Sequence, residues 1–205
     1  MAVTVSSDST VSGLARSRSM AAHTLRFLAH RPVLAVGSGV LLLFVGVALL
    51  SPWLAGDPGT VNPLRRLKPP SAAQWFGTDH VGRSVFDRTL WGARISLGVG
   101  FAVAITTTVV GVLLPGAAGP ILVQATYVFA SAMILEAILS FLGAGTPPSV
   151  PSWGNMMAEG RQYLQMAPWI LGFPALGLAL VVLAVNLLGD VLRDMLDPSL
   201  ASGRA

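Results

Sequence analysis

Residues Ser140–Tyr163 read SFLGAGTPPSVPSWGNMMAEGRQY. They separate two long apolar runs, each able to cross a bilayer. The stretch is rich in Gly, Pro, Ser and Asn, so it is not lipid-exposed backbone. In hydrocarbon each unpaired amide costs several kcal/mol. The segment must lie at a water interface or be cradled by protein. The chain around it is therefore a polytopic membrane protein.

Composition agrees. Hydrophobic residues make up 53% and charged residues 11%, and mean hydropathy is +0.70. A soluble domain carries about 25% charged residues. The charges are segregated, leaving long stretches with none. There is no cysteine, which excludes disulfides, thiolate chemistry and Cys-based zinc sites. The net charge of +4 comes mostly from dispersed Arg. Dispersed basic residues on an apolar chain fit loops at lipid headgroups and argue against nucleic-acid binding.

Working outward, residues 1–31 form a polar tail too poor in apolar side chains to fold alone. The first span occupies 32–55, with Val33–Leu50 free of charge. Roughly 20 residues at about 1.5 Å each cover one hydrocarbon thickness of about 30 Å. A polar connection, 56–94, follows. It contains a separate helical stretch, Gly82–Trp91, for which Thr78 and Asp79 are caps suited to a start near Val81. Arg83, Asp87 and Arg88 are spaced to pair across one turn. The second span runs from Ile95 to Leu114. Gly98, Ala102 and Thr106 place a small-residue stripe on one of its faces, suited to close packing.

PGAAG (115–119) is a tight break. The third span covers Pro120–Leu142 and the fourth Trp169–Leu188, kinked by Gly172, Pro174 and Gly177. Asp190, Arg193 and Asp194 are spaced for pairing on a short tail helix (190–205) that Pro198 ends. The fold class is thus all-α, a bundle of four spans with both termini on one side. Charge asymmetry between loops is close to a tie and does not choose that side.

One ionisable residue lies within a span, Glu136. A charged carboxylate there is costly, so it should face the bundle or be protonated. It either lines a polar path or makes a buried bond to a Ser, Thr or backbone group. No GxxxxGK followed by Ser or Thr occurs, so a P-loop is absent. There is no HExxH or GxSxG, and His23, His30 and His80 all lie outside the spans. Catalytic, cofactor and metal residues are therefore not assigned. The one polar cluster suited to an interfacial lipid enzyme is Asn155, Glu159, Arg161 and Tyr163.

Two stretches carry a family resemblance. Phe76–Gly100, FGTDHVGRSVFDRTLWGARISLGVG, resembles the GTDxxGRDxxxRxxxGxRxSL segment of ABC importer permeases for dipeptides, oligopeptides and nickel, the C-type subunit. Gly77, Thr78, Asp79, Gly82, Arg83, Arg88, Gly92, Arg94 and Ser96 fall on its positions, while Ser84 replaces its usual Asp. Pro120 to the C-terminus resembles the family's second half, with Trp153, Gly154, Asn155, Glu159 and Arg161 on motif positions. The resemblance implies cytoplasmic termini and an external 56–94 connection. It also implies a second permease, cytoplasmic ATPases that bind the ATP, an external peptide-binding protein and transport by alternating access. Two further spans and the EAA loop that docks on the ATPase are missing between Leu114 and Pro115. The implied consequence is impaired ATP coupling. The alternative is a non-transporting permease, acting as an assembly competitor or surviving as an inert remnant.

Overall fold

The computed structural model describes residues 32–113, 118–147 and 149–196. The expected tail 1–31, the 115–117 part of the PGAAG turn with its 114–115 junction, and Pro198 with the rest of 197–205 lie outside the described residues. Five α-helices account for most of what is described: α1 (Pro32–Leu54), α2 (Val85–Val112), α3 (Ala118–Phe141), α4 (Trp153–Gly160) and α5 (Trp169–Leu196). Four are long and apolar enough to cross a membrane, α1, α2, α3 and α5. Among the described residues there is no strand, only two isolated bridges, Ser71 with Gln74 and Thr78 with Ser84.

The four long helices form an up-and-down ring in which α1 packs on α2, α2 on α3, α3 on α5 and α5 back on α1. The ends of α1 and α3 therefore meet the starts of α2 and α5 at one end of the bundle, together with both long connections. The ring is sealed by small residues where helices approach. A side chain at Gly37 of α1 would press on the Ala184 carbonyl of α5, and one at Gly100 of α2 would strike Phe129 and Met133 of α3. Leu42, Leu43 and Leu49 on α1 and Ile105, Val109 and Val110 on α2 remain exposed. That is the surface a bilayer covers, since a span that is apolar all round has no reason to hide every face.

Two boundaries and one packing face differ from the sequence reading. The second span does not begin at Ile95. One unbroken helix runs from Val85, capped by Ser84, whose hydroxyl accepts from the Asp87 amide. The polar stretch expected as a separate helix is its outer end. Ser84, the departure from the family pattern, is itself an N-cap residue. The fourth span does not stop at Leu188 but continues through the expected tail helix to Leu196, passing through Pro174. The Gly98–Ala102 face of α2 is exposed, and among the described residues nothing lies within 4 Å of a Cβ placed on Gly98. The stripe that packs within the bundle is Ala93, Leu97, Gly100 and Ala104.

Candidate functional site

Both long connections turn inward at the same end of the bundle. In the 56–84 connection the chain reverses twice through glycine. Gly82 sits at φ +84°, and a Cβ there would fall directly on the Asn62 carbonyl oxygen. Gly77 sits at φ +73°, where a Cβ would lie 2.6 Å from the Lys68 carbonyl oxygen. Only glycine tolerates both the left-handed backbone and the contact. Thr78 ties the reversals together. Its hydroxyl accepts from the Lys68 amide at 2.9 Å and donates to the Arg65 carbonyl, and its own carbonyl accepts from Trp169 Nε1 at 3.1 Å.

Asp79 does not cap a helix near Val81. Its Oδ1 accepts the amides of Val81 and Arg83, both at 2.9 Å, closing a turn. Its Oδ2 takes Arg83 Nε at 2.6 Å and Arg88 Nη1 at 3.0 Å. Across the bundle Glu159 of α4 receives both arginines. Arg88 binds it with two nitrogens, Nη1 to Oε2 at 2.6 Å and Nη2 to Oε1 at 3.0 Å, and Arg83 Nη2 reaches Oε2 at 2.8 Å. Two guanidinium groups and two carboxylates thus form one neutral, fork-to-fork network, the geometry in which Arg pairs are strongest. Asp79 is fully buried and the Arg88 side chain is 2% exposed. Burial alone pushes the Asp79 carboxyl up. The bonds from the Arg83 side chain and amide, the charge of Arg83 and the Val81 amide outweigh it and hold the carboxyl below its ordinary value. Asp87 takes no part. It accepts the Gly56 amide at 3.0 Å and pins the end of α1.

The second connection places α4 as a re-entrant plug. Ser152 caps it, accepting from the Asn155 amide. Trp153 is fully buried; its backbone amide donates to Ser96 Oγ at 3.2 Å and its Nε1 to the Thr89 carbonyl at 3.0 Å. Three helices supply glycines where the plug passes. Gly92 of α2 and Gly177 of α5 lie against the indole, while Gly154 of α4 itself lies against Ala137 and Ser140 of α3. Asn155 Nδ2 ties the polar loop, its two hydrogens shared among the Thr146, Pro147 and Val150 carbonyls and the Thr146 hydroxyl at 2.9–3.1 Å. This is how a Gly- and Pro-rich segment survives at the end of a bundle.

The remaining motif residues do other work. Arg94 is exposed over the Trp91 ring, and Arg161 lies over Phe141 at 5.2 Å. Tyr163 stacks on His80. Asn155, Glu159 and Arg161 line one small pocket beside the end of α3, but Glu159 is held there by both arginines and Tyr163 stands apart against His80. Asp79, His80 and Glu159 approach within 4.8 Å, but Arg83 and Arg88 already hold both carboxylates and place two positive charges where a cation would sit. On α5, Asp190 accepts from Tyr127 of α3 at 2.7 Å, an inter-helix tie that the in-helix pairing reading missed.

Glu136 is 8% exposed, and Ser140 and Ser96 donate to its two oxygens at 2.8 and 3.3 Å. It makes the buried bond that one sequence reading named. It also lines a groove of about 540 Å³ between α2 and α3, with Val99, Val103, Tyr127, Ser131 and Thr146.

A re-entrant plug over a ring of spans, locked by an arginine–carboxylate network, defines a multi-pass membrane protein whose water-facing end is rigidly built. Residues 103–202 match the binding-protein-dependent transport system inner membrane component family. A probable peptide ABC transporter permease of Sinorhizobium fredii is 34% identical, with 86% of this chain and 92% of that one aligned. The dipeptide permease DppC of Alkalihalophilus pseudofirmus is 28% identical over 82% of this chain and 86% of its own. The di/tripeptide permease DppC of Pseudomonas aeruginosa is 49% identical over 88 residues, 43% of this chain and 29% of its own. The chain belongs to the family of inner-membrane permeases of binding-protein-dependent transport systems. The Sinorhizobium alignment spans 269 positions but engages only 86% of 205 residues, about 176, so about a third of the aligned positions have no counterpart here.

Proposed function

We propose that this chain is a permease subunit of an ABC importer for small peptides, impaired in coupling to ATP. Its similarity to the Sinorhizobium peptide permease, 34% identity over 86% of this chain, carries the reading. In it the termini face the cytoplasm, and the 56–84 connection and α4 face outward. A second permease, cytoplasmic ATPases and an external peptide-binding protein complete the machine. ATP binds only to the ATPases, and this chain does no covalent chemistry. The arginine–carboxylate network then serves as a lock that keeps the external end in one shape, so a bound carrier meets a fixed surface.

The unmatched third of the relative's alignment favours one specific departure, the loss of the segment that would dock on the ATPase. A chain without it fills the permease seat without passing on the force of ATP hydrolysis. Reconstitution in liposomes with the companion permease, ATPases and binding protein tests this. The expected result is assembly with the permease and no ATP-dependent accumulation of labelled dipeptide. Uptake that needs both ATP and this chain would overturn the uncoupled reading. Failure to recover either partner in mild detergent would leave an orphaned remnant, and the importer reading would fall.

A further inference from the structure

We propose that the groove between α2 and α3 is a binding site for an amphipathic amine, with Glu136 as counter-ion to its ammonium group. The groove follows α3 from Gln124 to Leu139 and opens at Gly145 and Thr146 beside the outer connection. Fifteen helical rises between these residues make it about 22 Å long, and its 540 Å³ is within the range of small-molecule sites, about 300–1,000 Å³. The walls are apolar, Val99, Val103, Val128 and Leu135 among them. One carboxyl, that of Glu136, faces this lining. Glu136 is more than nine-tenths buried, and among the described residues no cationic side chain pairs with it.

A carboxylate has room for about four donors, and Glu136 receives two, the hydroxyls of Ser96 and Ser140. Both hydroxyls hold the carboxyl in place and bring no positive charge to it. Charge at this depth is costly unless paired. A ligand with one ammonium and an apolar body satisfies both halves of the site, the charge at Glu136 and the walls beyond it. A neutral or anionic amphiphile of equal length satisfies only the walls. The ammonium has two sources, a free amine or the ethanolamine headgroup of a lipid. The proposal stands on the groove and not on transport.

The test is binding of radiolabelled octylamine, an ammonium at pH 7, to the full chain in phosphatidylcholine nanodiscs, with empty discs as background. Octanol and octanoate are the length-matched controls. Saturable binding of octylamine at least tenfold tighter than either control is expected. Glu136→Gln should weaken it at least tenfold while Glu136→Asp keeps part of it, and Val103→Trp, which fills the groove and leaves the carboxyl, should abolish it. Should Glu136→Gln not fold, Val103→Trp and the octanol comparison decide. Absence of saturable binding, equal binding of octanol, or full binding by Val103→Trp would each overturn the proposal. Competition by phosphatidylethanolamine would identify the lipid as the source, and its failure a free amine.

Discussion

Glu159→Gln is the sharpest probe of the outer lock. The change keeps side-chain shape and removes one charge. In the native protein Glu159 accepts three bonds, two from Arg88 and one from Arg83, at 2.6–3.0 Å. The glutamine presents one oxygen and one NH₂, so an arginine donor now faces a donor. Arg88 is 2% exposed and cannot turn to water. Removing one partner of a buried pair costs about 3–5 kcal/mol; Glu159 is itself 19% exposed, which places the expectation at the low end, about 3 kcal/mol. For a chain of this length about 2–4 °C accompanies each kcal/mol, so the midpoint should fall by about 6–12 °C. Thermal unfolding in mild detergent, followed by tryptophan emission, measures it. Trp169 bonds the Thr78 carbonyl beside the network and reports locally. Adding Arg83→Met should recover part of the loss by restoring neutrality. A fall below 2 °C, or a double variant no better than the single one, would refute the view that this network holds the two long connections together.

Acid should weaken the same lock. The folded Asp79 carboxyl lies below its ordinary value, so its contribution is complete above the unfolded value near 3.9 and is lost as pH falls through the lower folded one. The gap in midpoint between the wild type and Asp79→Asn, followed downward from pH 6, should close only below about pH 4. Gly82→Ala should destabilise by more than about 2 kcal/mol, from positive φ and a Cβ set on the Asn62 carbonyl. Gly39→Ala on α1, where nothing lies within 4 Å, should be neutral or stabilise by up to about 1 kcal/mol by chemical denaturation. Trp153→Ala should cost about 3–5 kcal/mol by the same method, since the ring is fully buried.

Much of this architecture was open to reading. Four spans follow from four long apolar runs, only one of which carries an ionisable residue, Glu136. The start of α2 was misread because its first ten residues carry Asp87, Arg88 and Arg94, and charge was taken as the end of a span. These charges lie where the helix leaves the hydrocarbon and do not interrupt it. Asp79, Arg83 and Glu159 were singled out by motif, yet their union was invisible. Arg83 and Glu159 are 76 residues apart, and no local spacing rule reaches that far. The Ser140–Glu136 bond is one helical turn and was within reach; the Ser96 donor, 40 residues away, was not. Gly177 was noted as a helix-bending residue, while its close approach to Trp153 depends on α4 folding back, which periodicity does not encode.

The seat of Trp153 has a consequence for biogenesis. Thr89 and Gly92 on α2 and Phe44 on α1 meet the indole early in the chain, but Gly177 lies on the last span. A nascent chain that has threaded its first three spans therefore carries α4 without a complete socket. The plug is held at the water face until α5 enters, and it locks only then. Insertion of α5 is thus the step that converts four threaded segments into one closed body, and any agent that stalls translation before residue 177 should leave the plug end open and protease-sensitive.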